Sequence, residues 1–297
     1  MERVVQSPGK HPKLAIVAGG GVVPILLAQD CIAQNRPFCL FGVAGAASQD
    51  IARFPHHWIN IGTIGKTMQL LRHEGCDEIV FIGPVNRPDL RKLRLDMRAV
   101  RLLPRYLKAA RGGDDQLLRF MVDLFETEGF RVIGAHEVAD GLAADTGVLG
   151  EISPDTAAMQ DIARAAEVID ILGRLDIGQG AVVCNGVVLA VEAAEGTDAM
   201  LHRCATLPPH LRGSEERRAG VLVKKPKPGQ ERRVDLPTIG LSTVRNAAAA
   251  GLAGLAVDAG GALIVDRAAV IAEADRLNMF LYGIPPAADG TGDGDSQ

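Results

Sequence analysis

From Lys13 to Ile82 the chain alternates short branched apolar runs with stretches of helical periodicity, and few folds can be built from that order. Lys13-Leu14-Ala15-Ile16-Val17 reads as a buried strand, Gly19-Gly20-Gly21 as the turn after it, and Pro24 to Gln34 as a helix. Phe38 to Val43, Trp58 to Ile61 and Glu78 to Ile82 are further strands, with a helix from Lys66 to His73 between the last two. Strands joined through helices run in the same direction, so the expected architecture is α/β, with a parallel, doubly wound sheet. Leu117 to Glu128 reads as a helix leading into the strand Arg131-Val132-Ile133.

Past about Gly134 the pattern changes. A helix from Pro154 to Leu175 carries Ile162, Ala166, Ile169 and Leu172 at helical spacing. Ala181-Val182-Val183 and Val187 to Val191 flank Asn185-Gly186, a pair suited to the left-handed turn of a two-residue hairpin. Two strand-helix passages follow. Val221 to Lys225 runs through a basic loop to a helix at Ser242–Ala250, and Leu255-Ala256-Val257 precedes one at Arg267–Arg276. The boundary is placed near residues 134–140, which gives a first domain at 13–135 and a second, mixed α/β domain at 136–284. With 297 residues and 47% apolar content, the chain can fill two such cores. Residues 1–12 and 285–297 lack apolar periodicity and are expected to be disordered tails.

Composition removes several function classes. A net charge of −4 with 8 Phe, 2 Tyr and 1 Trp supplies neither the field nor the stacking surface of a nucleic-acid binder. Cys31, Cys39, Cys76, Cys184 and Cys204 are odd in number and lack C-x-x-C spacing. That argues for a reducing compartment and core positions, and against a disulfide framework or a zinc site. The start, MERVVQSPGKHPK, has no signal-peptide run, and the most membrane-like stretch, Ala247 to Val265, is broken by Gly251, Gly254, Asp258, Gly260 and Gly261. A cytoplasmic location is the expectation.

The segment Lys224 to Gly240, KKPKPGQERRVDLPTIG, sets Asp235 among Lys224, Lys225, Lys227, Arg232 and Arg233, with Pro226, Pro228 and Pro237 stiffening the loop. Cations of this kind suit phosphoryl oxygens, and a carboxylate among them suits a divalent cation or a positioned water. The competing reading is a solvated basic loop whose Asp caps a helix near Thr238. The cluster AGGGVVP fails the G-x-G-x-x-G pattern, because Pro24 stands where a glycine is needed and no acid ends the second strand; a nicotinamide enzyme is thereby disfavoured. Asp114 and Asp115 open the helix at Leu117, Asp114 as the expected N-cap. Glu192, Glu195 and Asp198 follow a strand end, where α/β proteins place their sites. His56, His57, His202 and His210 lack metal-ligand spacing.

These residues carry a family resemblance. AIVAGGGVVP, IGTIGK (Ile61–Lys66), FIGPVNRP (Phe81–Pro88), GDDQLLR (Gly113–Arg119), EGTDAM (Glu195–Met200) and KKPKPGQERRVDLPTIG occur in order and resemble the motifs of the LpxI-type UDP-2,3-diacylglucosamine pyrophosphatases. Glu231 and Val234 depart from the Asp and Phe of that pattern. The resemblance implies a Rossmann-like first domain, a distinct second one with substrate between them, and a homodimer. It also implies a cytoplasmic step of lipid A biosynthesis in a Gram-negative bacterium. There UDP-2,3-diacylglucosamine is hydrolysed with Mg²⁺ to UMP and 2,3-diacylglucosamine 1-phosphate, water attacking the phosphorus attached to the sugar. Asp235 matches the family's key acidic residue, and the electrostatics of a diphosphate add Lys224, Lys225 and Lys227 to the catalytic set, to neutralise charge that shifts toward the leaving UMP. The substrate-binding set is Gly19, Gly20, Gly21, Gly65, Lys66, Gly83, Asn86, Arg87, Asp114, Asp115, Gln116, Gly196, Thr197, Thr238 and Gly240. The metal candidates are Asp235, Glu195 and Asp198. Asp235 has two open roles, metal ligand or orienter of water. The alternative to an enzyme is a non-catalytic nucleotide-sugar or lipid-binding protein of the same fold.

One motif stands outside this set. Arg91 to Arg111, RKLRLDMRAVRLLPRYLKAAR, carries eight basic residues against Asp96 alone, interleaved with leucines and valine and interrupted by Pro104. It reads either as a solvated helical face or as a peripheral contact with an anionic inner-membrane surface.

Overall fold

A computed structural model describes residues 11–86, 89, 93–139 and 141–286. Arg87, Arg91 and Lys92, and most of both expected tails, lie outside the described residues. The chain divides into two compact units. Unit 1 runs through Leu142 and includes Pro228–Leu236; unit 2 holds Ala143–Lys227 and the chain from Pro237 onward. The main division thus falls just after the span expected from sequence, and the basic loop is shared between the units.

Unit 1 contains β1 (Leu14–Ala18), α1 (Val23–Ala33), β2 (Phe38–Val43), a 3₁₀ turn (Gln49–Arg53), β3 (His56–Ile59), α2 (Ile64–His73), β4 (Glu78–Ile82), α3 (Met97–Arg111), α4 (Asp114–Thr127), β5 (Arg131–Val132) and α5 (Ala135–Val138). Its strands are all parallel, in the order β3-β2-β1-β4-β5, so the winding reverses beside β1. Ala15, Val17, Phe41 and Ile79 pack with Met68 and Leu71 of α2 and Phe120 and Phe125 of α4. The alternate residues Leu14, Ile16 and Leu40 are buried on the opposite face, the side of α1 with its buried Leu27 and Cys31. A strand covered on both faces requires apolar residues at consecutive positions, which is why these strands read as runs. Full burial of a side chain such as Phe41 contributes about 1.5–3 kcal/mol.

Two boundaries differ from the sequence reading for local reasons. β3 starts at His56, two residues before the expected Trp58, because His56 and His57 pair with Leu40 and Phe41 of β2. The His57 ring lies 5.7 Å from that of Phe41, centroid to centroid, so the polar residue gains an apolar neighbour. α4 starts at Asp114 with Gly113 as its N-cap, so Asp114 is the first helical residue and not the cap.

Unit 2 contains β6 (Gly147–Val148), α6 (Thr156–Gly173), β7 (Gly180–Cys184), β8 (Val187–Val191), α7 (Gly196–Ala205), β9 (Val221–Lys224), β10 (Thr238–Ile239), α8 (Leu241–Ala249), β11 (Gly254–Asp258), β12 (Leu263–Ile264), α9 (Arg267–Arg276) and β13 (Phe280–Ile284). Its main sheet is mixed, in the order β6-β13-β11-β9-β7-β8, with β9, β11 and β13 parallel and β6 and β7 antiparallel to their neighbours. β10 and β12 form a separate parallel pair. The β7–β8 hairpin turns at Asn185 (φ 50°) and Gly186 (φ 79°), and both turn amides donate to the buried Asp161 carboxylate, at 2.9 and 2.7 Å. β13 was not expected. Its short run, FLYGI, is interrupted by Tyr282 and Gly283, and it becomes a strand by pairing with β11.

All five cysteines are buried and free, and burial pushes the Cys31 and Cys39 thiols up to about 11 and Cys76 to about 12, which leaves them inert. No described helix is long and apolar enough to cross a membrane.

The two edges of the unit 1 sheet differ in chemistry. At the amino edge Glu74 bonds Lys13 at 2.8 Å and His57 at 2.7 Å, and the buried Glu78 bonds Arg36 at 2.5 Å and Arg131 at 2.8 Å. At the carboxyl edge the chain after β1 touches the chain after β4. Gly19 and Gly20 donate their amides to Ile82 O and Pro84 O, both at 2.8 Å. A Cβ on Gly19 would stand 2.3 Å from Gly83 O, and one on Gly83 would stand 2.3 Å from Gly20 O.

Two expected outcomes follow from these edges. Gly19→Ala should lower the stability of unit 1 by about 1–3 kcal/mol, because the methyl group must push backbone apart; urea melts of the full chain measure it. Hydrogen bonds from Lys13 and His57 hold Glu74 at about 2, below its ordinary 4.5. A depressed carboxylate contributes stability that is complete above pH 4.5 and fades as pH falls toward 2. The stability gap between the protein and Glu74→Gln should therefore be largest near neutrality and shrink through that window; a gap independent of pH would contradict the pairing.

Candidate functional site

In an open parallel sheet, ligands bind outside the carboxyl ends of the strands, beside the point where the winding reverses. In unit 1 that point is the gap between β1 and β4. Each connecting helix runs back toward the amino edge, so the N-termini of α2 and α4 share the carboxyl edge with Gly19–Gly21 and Gly83–Asn86. The sequence-derived Gly19, Gly20, Gly21, Gly65, Lys66, Gly83, Asn86, Asp114, Asp115 and Gln116 therefore belong to one edge of one sheet. Arg87 is outside the described residues.

Three backbone amides of this edge already have partners. The Gly19 and Gly20 amides already serve carbonyls of the β4 loop, so these glycines provide close backbone approach and not anion donors. At the start of α2 an anion is already present. Asp96 Oδ2 accepts the Lys66 amide at 3.2 Å, while its Oδ1 accepts the Ala99 amide at 2.8 Å. One carboxylate caps both α2 and α3. Burial raises its pKa, but the amides of Ala99, Lys66, Gly65 and Arg98 outweigh that and hold it below the usual aspartate value. The side chains of Lys66, Asn86, Asp114 and Gln116 are exposed.

The segment Pro228–Leu236 is fastened to α4. Asp115 takes the Glu231 amide on Oδ1 at 3.1 Å and Arg119 Nε on Oδ2 at 2.8 Å, and Arg119 also donates to Gly229 O. Arg233 bonds Glu126 at 2.6 Å and Glu231 at 2.9 Å, and Val234 packs against the unit 1 core. The Arg233 guanidinium in turn holds Glu231 below the usual glutamate value. These contacts present Asp235. It is half-buried, donates its amide to Glu231 O at 3.1 Å, and receives on Oδ2 the side-chain amide of the buried Gln230. Arg232 is exposed.

Unit 2 gathers the remaining candidates at the carboxyl ends of β8 and β9. Lys224 is 5% exposed and donates to Thr197 Oγ1 at 2.7 Å; that hydroxyl bonds Glu192 Oε1 at 2.6 Å, and Lys224 Nζ stands 3.7 Å from the same carboxylate. Glu192 Oε2 is buried without a hydrogen-bond partner. Lys225 pairs with Asp170 at 2.9 Å and Lys227 with Asp176 at 2.5 Å. Three lysines of the basic loop thus face acids distant in sequence, as Arg233 does through Glu126. Glu195 bonds Arg203 at 2.9 Å, and its own backbone amide, then Arg203, hold its pKa low. Asp198 accepts Asn246 Nδ2 at 2.9 Å. Gly196 begins α7, Thr238 lies in β10, and Gly240 caps α8 with its amide on Thr243 Oγ1 at 3.2 Å.

Among the described residues, three metal-type donors converge at Cys39, His57 and Glu74, their ligand atoms within 4.8 Å of one another. That group lies at the opposite, amino edge, and the Lys13 ammonium already supplies its cation. Sequence reasoning missed Gln230 and Asp96 as supporting residues, and it singled out Glu192 at a strand end without giving it a role. Glu192 carried a signal, an acid directly after a strand. Gln230 and Asp96 carried none, since each acts on a residue whose identity only the fold reveals.

Two family models cover the chain: the LpxI N-terminal domain matches residues 13–142 and the LpxI C-terminal domain residues 145–282. A Caulobacter vibrioides protein described as UDP-2,3-diacylglucosamine pyrophosphatase LpxI is 52% identical over 274 residues, covering 92% of this chain and 98% of that protein. With both domains matched in order and half of the aligned residues identical across nearly the full length, the chain belongs to the LpxI family.

Proposed function

We propose that this chain hydrolyses the diphosphate of UDP-2,3-diacylglucosamine in lipid A synthesis, releasing UMP and 2,3-diacylglucosamine 1-phosphate. The observation that carries the reading is the 52% identity, spread over nearly all of both chains, to a protein described by that activity. In the reaction, water forms a bond to the phosphorus on the sugar side as the bond from that phosphorus to the bridging oxygen breaks. UMP departs with the electron pair.

Asp235 is the acid we assign to this chemistry. Its carboxylate is held by Gln230 on a segment locked to α4, so it is positioned before substrate arrives. As a hard oxygen donor it fits Mg²⁺, which needs only one or two protein carboxylates and keeps its remaining waters. Glu195 fits less well, because its carboxylate is already paired with the Arg203 guanidinium; Asp198, like Asp235, accepts a neutral side-chain amide and stays a second candidate. Bound Mg²⁺ would supply neutralisation of phosphoryl charge. Lys225 and Lys227 would exchange Asp170 and Asp176 for phosphoryl oxygens, and Lys224, fixed by Thr197 and Glu192, would add its charge from the end of β9.

Purified protein should release UMP from the substrate, followed by phosphorus NMR, and a chelator should stop release until Mg²⁺ is restored. Undiminished turnover in excess chelator would remove the metal from the reading. Asp235→Asn should lower kcat on the order of a hundredfold or more with stability changed by less than about 1 kcal/mol. Weakened Mn²⁺ binding in the same variant, read by electron paramagnetic resonance, assigns Asp235 as a metal ligand; intact Mn²⁺ binding assigns it to the water.

A further inference from the structure

α3 has two stripes. At 100° per residue, Ala99, Leu102, Tyr106 and Ala109 fall on one side, where Ala99 is buried and the other three pack against the unit 1 core. Met97, Val100, Pro104 and Leu107 repeat the same three-four-three spacing on the other side, and there Met97 is 71%, Val100 48% and Leu107 40% exposed. A helix needs one apolar stripe to dock on its own domain. The second is not explained by the fold of unit 1.

Charge says what the second stripe suits. Arg101, Arg105, Lys108 and Arg111 are exposed beside it, and no acid occurs from Met97 to Arg111. Arg98 is engaged by Glu128, and Arg105 lies over the Phe120 ring, its guanidinium carbon 5.6 Å from the centroid. Arg101, Lys108 and Arg111 make no ion pair among the described residues. Lys108 and Arg111 complement the C-terminal end of the helix dipole, but that accounts neither for Arg101 nor for exposed Met97, Val100 and Leu107. Apolar residues flanked by unpaired cations match a surface that is anionic at its headgroups and hydrocarbon beneath them. A protein partner would have to supply acids and an apolar groove together.

We propose that the outer face of α3 seats on the surface of a bilayer containing anionic lipid, with Met97, Val100 and Leu107 entering the headgroup boundary and Arg101, Lys108 and Arg111 over lipid phosphates. The inference rests on the function proposed above, since a substrate with two acyl chains resides in such a bilayer.

The test uses the full chain with vesicles of phosphatidylcholine, with and without phosphatidylglycerol. Binding should require phosphatidylglycerol and weaken with salt. Each cation near an anionic surface contributes about fivefold in affinity, so Arg101→Gln with Lys108→Gln should lower vesicle partitioning roughly 25-fold. Met97→Gln with Leu107→Gln should also lower it, by a factor that salt leaves unchanged, while the effect of the charge variants shrinks with salt. Because these side chains are exposed, melting temperature should not change, and hydrolysis of detergent-dispersed substrate should equal that of the unaltered protein. Absence of binding to phosphatidylglycerol vesicles at low salt would overturn the proposal, as would variants that bind like the parent. Variants that instead shift the sedimentation coefficient without vesicles would assign the face to self-association and overturn it too. Vesicle binding with no hydrolysis in detergent would leave this inference standing while removing the proposed activity.

Discussion

Asp115 holds the Glu231 amide and Arg119 on the two oxygens of one carboxylate, and the organisation of the candidate site depends on that fork. It ties the segment Pro228–Leu236 to α4 through backbone as well as side chain. With it the segment is a part of unit 1, backed by Arg233 on Glu126 and by Val234 in the core, and Asp235 is presented from fixed backbone. A charge-assisted bond to a backbone amide fixes position as well as energy, which is what a group that must act on a phosphoryl centre requires.

The same economy of side chains recurs. Asp96 caps two helices, Asp161 takes both amides of the hairpin turn, and Glu78 bonds two arginines. In each case one carboxylate satisfies two polar groups, where an unmet buried group would cost about 1–3 kcal/mol. Glu192 is met only in part, as are Arg36, through its Nε, and His136, through its Nδ1, among the described residues. One Glu192 oxygen is bonded within the Lys224–Thr197 network and the other is buried without a partner. Of the three orphaned atoms, the Glu192 oxygen is the one that falls beside Lys224 and Thr197, residues that the sequence had already marked.

The strands, most helices and the hairpin were legible in the sequence because their signals are local. Consecutive branched residues demand burial on both faces, glycine and asparagine permit left-handed turns, and helical spacing repeats within a few residues. β13 escaped because a five-residue run containing Tyr282 and Gly283 becomes a strand only through its pairing with β11. The start of β3 escaped for the same reason, since His56 and His57 are recruited by the register with β2.

Sequence by itself determined the parallel sheet of unit 1, the change of pattern after it, the five buried thiols, and the residue types a diphosphate would need. It could not determine which charges are available. Lys224, Lys225, Lys227 and Arg233 look like an unopposed basic field along the chain, yet Glu192, Asp170, Asp176 and Glu126 meet them one by one from other elements. Likewise the glycine cluster reads as a turn along the chain, and only the fold shows its Gly19 and Gly20 amides on Ile82 and Pro84. Electrostatic and hydrogen-bond partners are set by distance in space, which falls steeply in effect beyond contact and has no counterpart in sequence separation, so only the tertiary structure could decide them.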